Sequence, residues 1–100
     1  MLYYTQLIYI KPGREETFHR FEDHVLPLLE QYNGKLLLRW RRAEGCVVET
    51  SFGDPYEIHL VSFETAGDFT NYKNDKTRLG YLPLKDESVE KIVLIEGKQL

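Results

Sequence analysis

The first third of the chain carries a helical stripe of apolar residues between two segments with strand composition. At 100° per residue, six apolar side chains fall within an arc of roughly 100°, the width of a helix face that packs against a core: Phe18, Phe21, Val25, Leu28, Leu29 and Tyr32. Glu15-Glu16 suits the first turn of a helix and Asn33-Gly34 its end. The pattern predicts one helix over residues 14–32, kinked at Pro27.

The remaining elements alternate with this helix. Four segments rich in Tyr, Ile, Leu and Val predict strands at residues 2–10, 35–42, 56–63 and 90–96. A second, weaker helix begins at Thr65, where Asp68 completes the spacing of a capping box, and continues towards Leu79. Residues 80–88 contain a proline and predict a connection rather than a helix.

The order β-α-β-β-α-β in 100 residues predicts a single ferredoxin-like domain over residues 1–100. In this α+β fold, a four-stranded antiparallel sheet carries two helices on one face. Both parities of the strands are apolar, as in Leu7-Ile8 and Leu60-Val61. Two helices cover only one face of a sheet, so we expect a second copy of the chain to cover the other.

Composition excludes several classes of partner. The 13 basic and 16 acidic side chains give a formal charge of −3, which provides no general attraction to nucleic acid or anionic lipid. No apolar run approaches the roughly 20 residues that span a bilayer. The single cysteine, Cys46, and an N-terminus without the pattern of a signal peptide predict a cytoplasmic protein.

Several segments resemble the dimeric α+β barrel superfamily, and in particular its small antibiotic-biosynthesis-monooxygenase-like members and their uncharacterised relatives. The similar segments cover nearly the whole chain: Lys11-Pro-Gly-Arg-Glu-Glu16, Leu26-Pro-Leu-Leu-Glu30, Asn33-Gly-Lys-Leu-Leu-Leu-Arg39, Glu57-Ile-His-Leu-Val-Ser-Phe63, Thr65 with Phe69 and Tyr72, and Ile92-Val-Leu-Ile-Glu-Gly97. The resemblance implies a dimer with two sheets face to face. It also implies a small-molecule cleft in each subunit, between sheet and helices or inside the barrel.

Members of this superfamily include cofactor-free oxygenases of phenolic compounds, haem-degrading enzymes, lactone isomerases and proteins without an assigned activity. Many of the oxygenase-like and haem-degrading members place a histidine on the second helix where this chain has Tyr72. The haem-degrading members also use an asparagine that the first strand lacks. We therefore expect no haem or other cofactor, and we take Tyr72 as a candidate ligand-binding residue.

Polar residues inside apolar strands give the other candidates, because a buried charge or imidazole needs a partner or a wet cavity. One assignment of the strand faces packs five residues against the helices: Ile8, Ile10, Leu38, Ile58 and Leu60. The other face then forms the cleft, with Thr5, Leu7, Tyr9, Arg39, Arg41 and His59. In this cleft Arg39 and Arg41 would bind a carboxylate or phenolate, Tyr9 would donate its hydroxyl, and His59 would act as the catalytic base.

Two alternatives stay open for these residues. Arg39 and Arg41 would have a purely structural role if Glu49 or Glu57 neutralises them. Reversed parity would exchange the two faces of the sheet. We expect no metal site, because His19 and His24 are five residues apart, whereas metal-binding pairs on a helix prefer four.

Two functions remain open. The chain is either an enzyme acting on a small phenolic or carboxylate compound, of the cofactor-free monooxygenase or isomerase type, or a homodimeric binding or interaction protein without catalytic activity. No motif in the sequence decides between them.

Overall fold

The computed structural model describes residues 1–43 and 53–100. Its elements are, in order, β1 (Leu2–Ile10), α1 (Glu15–Val25), a 3₁₀ helix (Leu26–Tyr32), β2 (Gly34–Arg41), β3 (Glu57–Phe63), α2 (Ala66–Lys73), α3 (Lys76–Ser88) and β4 (Val89–Gly97). The strands form one antiparallel sheet in the order β2-β3-β1-β4. The predicted ferredoxin-like fold, with its helices on one face of the sheet, is confirmed. Cys46 and Glu49 lie outside the described residues.

The first predicted helix is two helices of different type. The α-helical turns end at Val25, and a 3₁₀ helix with Pro27 near its start follows. Proline has no N–H to donate and presses on the carbonyl four residues earlier, so the α-helical bonding pattern does not continue through it. Asn33 closes the segment in the left-handed conformation at φ 54°.

The prediction for residues 80–88 is wrong, because they belong to α3. The capping box of Thr65 and Asp68 is present and begins α2, which ends at Lys73. Asp75 then caps α3, which includes Pro83. Tyr81, Leu82 and Leu84 pack on the core. This packing outweighs the local helix-breaking preference of the proline.

Irregular pairing in β2 decides which side chains face the helices. Gly34 and Leu36 pair with Phe63 and Val61 on the helix side of β3. The register shifts between Leu36 and Leu38. Arg39 therefore pairs with His59, although Arg39 lies three residues after Leu36 and His59 only two residues before Val61. A β-bulge adds one residue to a strand and thereby reverses the alternation beyond it. Arg39 and Arg41 therefore face the helices, and Leu38 and Trp40 face the other way.

The core lies between the sheet and the helices in two clusters. One consists of Tyr4, Leu29, Val61, Phe63 and Tyr72, and the other of Ile8, Phe18, Phe21 and Val25. The second face of the sheet has no covering element among the described residues. Several of its apolar side chains are exposed, including Leu38 at 45%, Trp40 at 64% and Ile95 at 53%. No helix in the described ranges is long and apolar enough to cross a membrane.

Candidate ligand cavity and buried ion network

A buried group of acidic and basic side chains lies beneath α1. His59 and Glu57 project from β3 on the side of Val61, because alternate residues of a strand share a face. Glu22 projects from α1 towards the sheet and lies between the core residues Phe18 and Val25 in the sequence. The Nε2 atom of His59 lies 2.8 Å from Oε2 of Glu22 and 2.5 Å from Oε2 of Glu57. The three side chains are almost completely buried.

Two arginines of β2 complete this ion network. Nη2 of Arg39 lies 2.9 Å from Oε1 of Glu22, and its Nε lies 3.2 Å from Oε2 of Glu57. Arg41 donates from Nη2 to Oε1 of Glu57 at 2.8 Å. The arginine side chains are partly exposed, so the network extends from the core to the edge of the sheet. The structural pairing of both arginines with Glu57, one of the two alternatives left open, is present.

The pKa values follow from burial and from these contacts. Burial favours the neutral form of Glu57, but hydrogen bonds from His59 and Arg41 and the charge of Arg39 hold its pKa far below the ordinary value. Burial also disfavours protonated His59, yet its two carboxylate neighbours raise its pKa. For Glu22 burial dominates and raises the pKa. The network therefore holds a proton most readily at Glu22 and His59.

The cluster has the donor types of a metal site. One ligand atom from each of Glu22, Glu57 and His59 lies within 4.8 Å of the others, and carboxylate and imidazole groups bind divalent cations. However, Arg39 and Arg41 already neutralise the two carboxylates. A divalent cation would add two positive charges to a buried group that is already compensated. The expected absence of a metal stays a prediction.

A cavity of about 240 Å³ separates the sheet from the helices. Apolar and aromatic side chains from the sheet and from the helices form most of its wall, and Glu22 and His59 contribute polar surface. Three cationic side chains of α2 and α3 also line it: Lys73, Arg78 and Lys85. Among residues 1–43 and 53–100, none of these cations forms an ion pair with a carboxylate.

Arg78 is held against the aromatic wall of the cavity. Its guanidinium carbon lies 5.0 Å from the centre of the Tyr72 ring, and Nη1 donates to the carbonyl of Lys73 at 3.3 Å. Its Nε atom is buried and has no hydrogen-bond partner in the described part of the chain. Burial and the positive charge of Arg78 lower the pKa of Lys85. This part of the cavity is therefore electropositive and incompletely hydrogen-bonded.

The residues that the sequence analysis expected in one cleft do not all lie together in the structure. His59 and Tyr72 line the cavity, and Tyr72 donates its hydroxyl to the carbonyl of Val25 at 3.3 Å. Arg39 and Arg41 share the helix side with His59 but do not line this cavity. Tyr9 belongs to the opposite face with Thr5 and Leu7, so its placement beside His59 was wrong. The bulge in β2 and the helix-facing side chains of β3 account for the difference.

Sequence reasoning missed Glu22, Arg78 and Lys85. Glu22 had a readable signal, since it lies four residues after Phe18 and three before Val25, inside the apolar stripe. Lys85 had no such signal, because the segment that carries it was interpreted as a connection. Arg78 also had no signal, because it lies near the end of the weaker predicted helix. His19 and His24 do not meet, and each contacts a tyrosine ring instead: Tyr56 and Tyr81 respectively.

No protein-family model matches the chain, and no curated protein matches it. Solved structures match over nearly its full length. A protein of unknown function from Rhodopseudomonas palustris, RPA0582, has a TM-score of 0.82 at 14% identity, over 99% of this chain and 82% of that chain. A dabb family protein with a ferredoxin-like fold from Mesorhizobium loti has a TM-score of 0.69 at 15% identity, over 99% and 96%.

A third structure is described as a dimeric protein of unknown function with a ferredoxin-like fold, from Bacteroides fragilis. Its TM-score is 0.71 at 8% identity, over 98% of this chain and 95% of that chain. These identities are low, so the similarity concerns the fold. The chain therefore has the ferredoxin-like fold of these proteins, and the resemblance noted in its sequence is confirmed at the level of the fold.

Proposed function

We propose that the chain binds a small organic anion, with a carboxylate or phenolate group and an apolar body, in the cavity between the sheet and the helices. The side chain of Arg78 carries this proposal, because it lines the cavity and its buried Nε has no hydrogen-bond partner in the described ranges. A buried donor left unpaired costs about 1–3 kcal/mol. An oxygen of a bound anion would remove this cost.

The rest of the wall supports the same class of ligand. Aromatic and aliphatic side chains surround an apolar body, and cations gathered at one place orient an anionic group. The volume of about 240 Å³ lies below the ~300–1,000 Å³ typical of sites for drug-sized ligands. We therefore propose a ligand of the size of a simple aromatic or branched aliphatic acid.

The residue proposed to bind the anionic group is Arg78, whereas the sequence analysis expected Arg39 and Arg41. Arg39 and Arg41 already neutralise Glu57, so they offer a ligand less free charge than Arg78 does. His59 faces the cavity beside Glu22 and stays a candidate for proton transfer. Its role as the catalytic base remains a prediction.

We also propose that the chain forms a homodimer through the uncovered face of its sheet. The support is the set of apolar residues that share that face by strand register: Leu7, Leu38, Trp40, Ile58, Leu60, Val93 and Ile95. Leu38, Trp40 and Ile95 of this set are exposed, and contiguous exposed apolar side chains are typical of association sites. The Bacteroides fragilis protein, which has the same fold, is described as dimeric, and this supports self-association of the chain.

A catalytic function has one specific observation in its favour. Burial raises the pKa of Glu22, and its carboxyl faces the cavity beside His59. A carboxyl of this kind can hold a proton nearer to neutral pH than an exposed one and return it to a ligand. This favours an isomerase-like reaction, in which a proton moves between two atoms of a bound ligand, over a purely passive binding protein.

A thermal-shift screen of small carboxylates and phenols tests the binding proposal. We expect some of these compounds to raise the melting temperature of the parent and to lose that effect in Arg78→Gln. The matched control is Arg42→Gln, because Arg42 pairs with Asp54 at the surface, away from the cavity. The proposal fails if no compound stabilises the parent, or if Arg78→Gln responds as the parent does.

A further inference from the structure

Lys85 stands out among the cations of the cavity because its amine lacks a compensating partner. It lies in the last turn of α3, half-buried, and lines the cavity. Within residues 1–43 and 53–100 its amine forms neither an ion pair nor a hydrogen bond. The ammonium of Lys73, in contrast, lies 4.5 Å from the centre of the Phe69 ring.

This position does not require a charge for packing. Leu84 and Val89, which precede and follow it along the chain, pack on the second core cluster, as an aliphatic residue would. Half-burying a lysine without a counterion costs free energy that an aliphatic side chain would not cost. A function at the cavity therefore explains the lysine better than the stability of the fold does.

The environment of Lys85 also changes its protonation. Burial lowers the pKa of the amine, the charge of Arg78 lowers it further, and Asp86 opposes them more weakly. An apolar surrounding and a second cation are the two ways in which proteins produce a neutral, nucleophilic amine. Lys85 has both of them.

We propose that Lys85 is a nucleophile that forms a Schiff base with the carbonyl carbon of a small oxo-carboxylate held in the cavity by Arg78. This inference rests on the proposed function, since it requires that an organic anion binds there. The ligand class follows from the two groups that line the cavity. The guanidinium of Arg78 binds the carboxylate, and the amine of Lys85 reacts with a ketone or aldehyde carbon.

The reaction balances without an oxidant or a metal. The neutral amine attacks the carbonyl carbon, a C–N bond forms, and the oxygen becomes a hydroxyl after proton transfer from nitrogen. The hydroxyl takes one more proton and leaves as water, while nitrogen forms the C=N bond. Glu22 and His59 line the same cavity and have raised pKa values, and either group can supply that proton when it is protonated. Addition of water reverses the sequence and regenerates the amine.

Reductive trapping tests this inference on the whole chain. Phenylpyruvate serves as the probe and sodium cyanoborohydride reduces any imine to a stable amine, which peptide mass spectrometry then locates. We expect labelling of Lys85 about tenfold above that of any other lysine at neutral pH, because more of its amine is unprotonated. Lys73→Met is the matched control at the same cavity and should keep the label on Lys85.

Two variants distinguish loss of the nucleophile from loss of the fold. Lys85→Met removes the amine, and Lys85→Arg keeps a cation but cannot form the imine. Both variants should lose the label, and circular dichroism should show that both are folded. Phenyllactate, which has a hydroxyl in place of the carbonyl, should compete with labelling and raise the melting temperature without forming an adduct.

The outcomes separate this inference from the proposal of anion binding. If phenyllactate stabilises the protein but phenylpyruvate leaves no adduct on Lys85, the nucleophile is wrong and anion binding stands. Equal labelling of all lysines also overturns the inference. If neither compound stabilises the protein and Lys85 is not labelled, both proposals fail.

Discussion

Nε2 of His59, on an interior strand of the sheet, lies 2.8 Å from Oε2 of Glu22, in the middle of the apolar face of α1. This contact joins β3 to α1 through two polar side chains, whereas the side chains around them are mostly aromatic and aliphatic. Oε2 of Glu22 accepts no hydrogen bond from the described residues, so the contact with His59 is electrostatic. Glu22 and His59 therefore connect the sheet to α1 and also form part of the cavity wall.

Removing the charge of Glu57 should destabilise the fold strongly. Glu57 is the carboxylate that Arg39, Arg41 and His59 share, so Glu57→Gln leaves Arg41 without its carboxylate partner and leaves Arg39 and His59 with Glu22 alone. Breaking a buried pair in this way costs about 3–5 kcal/mol. Urea unfolding followed by circular dichroism measures the loss.

The control for this change is Asp54→Asn. Asp54 pairs with Arg42, and both side chains are substantially exposed, so we expect a cost of about 0–1 kcal/mol. Similar losses for the two variants would mean that the buried network contributes no more than an ordinary surface pair.

The sequence predicted the order of strands and helices better than it predicted the cavity. Periodicity identifies β1 and the stripe of α1 because burial on one face repeats with the element. It did not predict that Arg39 faces the helices, because a single bulge reverses the alternation. It also did not predict α3, because Pro83 argues against a helix locally and only the packing of Tyr81 and Leu84 overrides it.

The stability of the fold should fall as pH rises above neutrality. His59 has a raised pKa in the folded state, so its stabilising contribution is complete below its ordinary value of 6.5 and disappears as pH rises through the folded-state pKa. Glu22 acts in the same direction, since its raised pKa makes ionisation above the ordinary 4.5 unfavourable to folding. We expect the urea midpoint of the parent to decrease as pH rises above about 6.5.

His59→Asn should weaken this pH dependence, because asparagine does not titrate. His24→Asn is the matched control: His24 is exposed, stacks on the Tyr81 ring at 4.1 Å, and lies outside the ion network. We expect its pH profile to follow that of the parent. A steep profile retained in His59→Asn would place the titrating group elsewhere.

Two glycine substitutions should have opposite effects. A Cβ at Gly34 would lie 2.8 Å from a ring carbon of Phe63 and 3.0 Å from the carbonyl oxygen of Leu29, so Gly34→Ala should destabilise by about 1–3 kcal/mol. A Cβ at Gly80, inside α3, would meet nothing within 4 Å, so Gly80→Ala should stabilise by about 0.5–1 kcal/mol. Thermal unfolding of both variants checks the signs. A stabilising Gly34→Ala would contradict the close packing of β2 on Phe63.

Purified protein should contain no stoichiometric metal or haem. The two carboxylates that could ligate a cation already have Arg39 and Arg41 as partners, and the cation would have to displace the proton of His59. Elemental analysis and the visible absorption spectrum measure this directly. One equivalent of zinc, manganese or iron that Glu22→Gln abolishes would show that the cluster is a metal site.

A charge on the uncovered face of the sheet should prevent self-association without unfolding the subunit. Trp40 is 64% exposed in the single chain, so Trp40→Glu removes little packing within one subunit. In a face-to-face dimer the same carboxylate would be buried without a partner, at a cost of several kcal/mol. Light scattering at micromolar concentration should therefore give a dimeric mass for the parent and a monomeric mass for the variant.

Leu79→Glu is the matched control, because Leu79 is 44% exposed but lies on α3, away from that face. We expect that variant to stay dimeric; a folded, monomeric parent would instead show that the exposed apolar face is not a dimer interface.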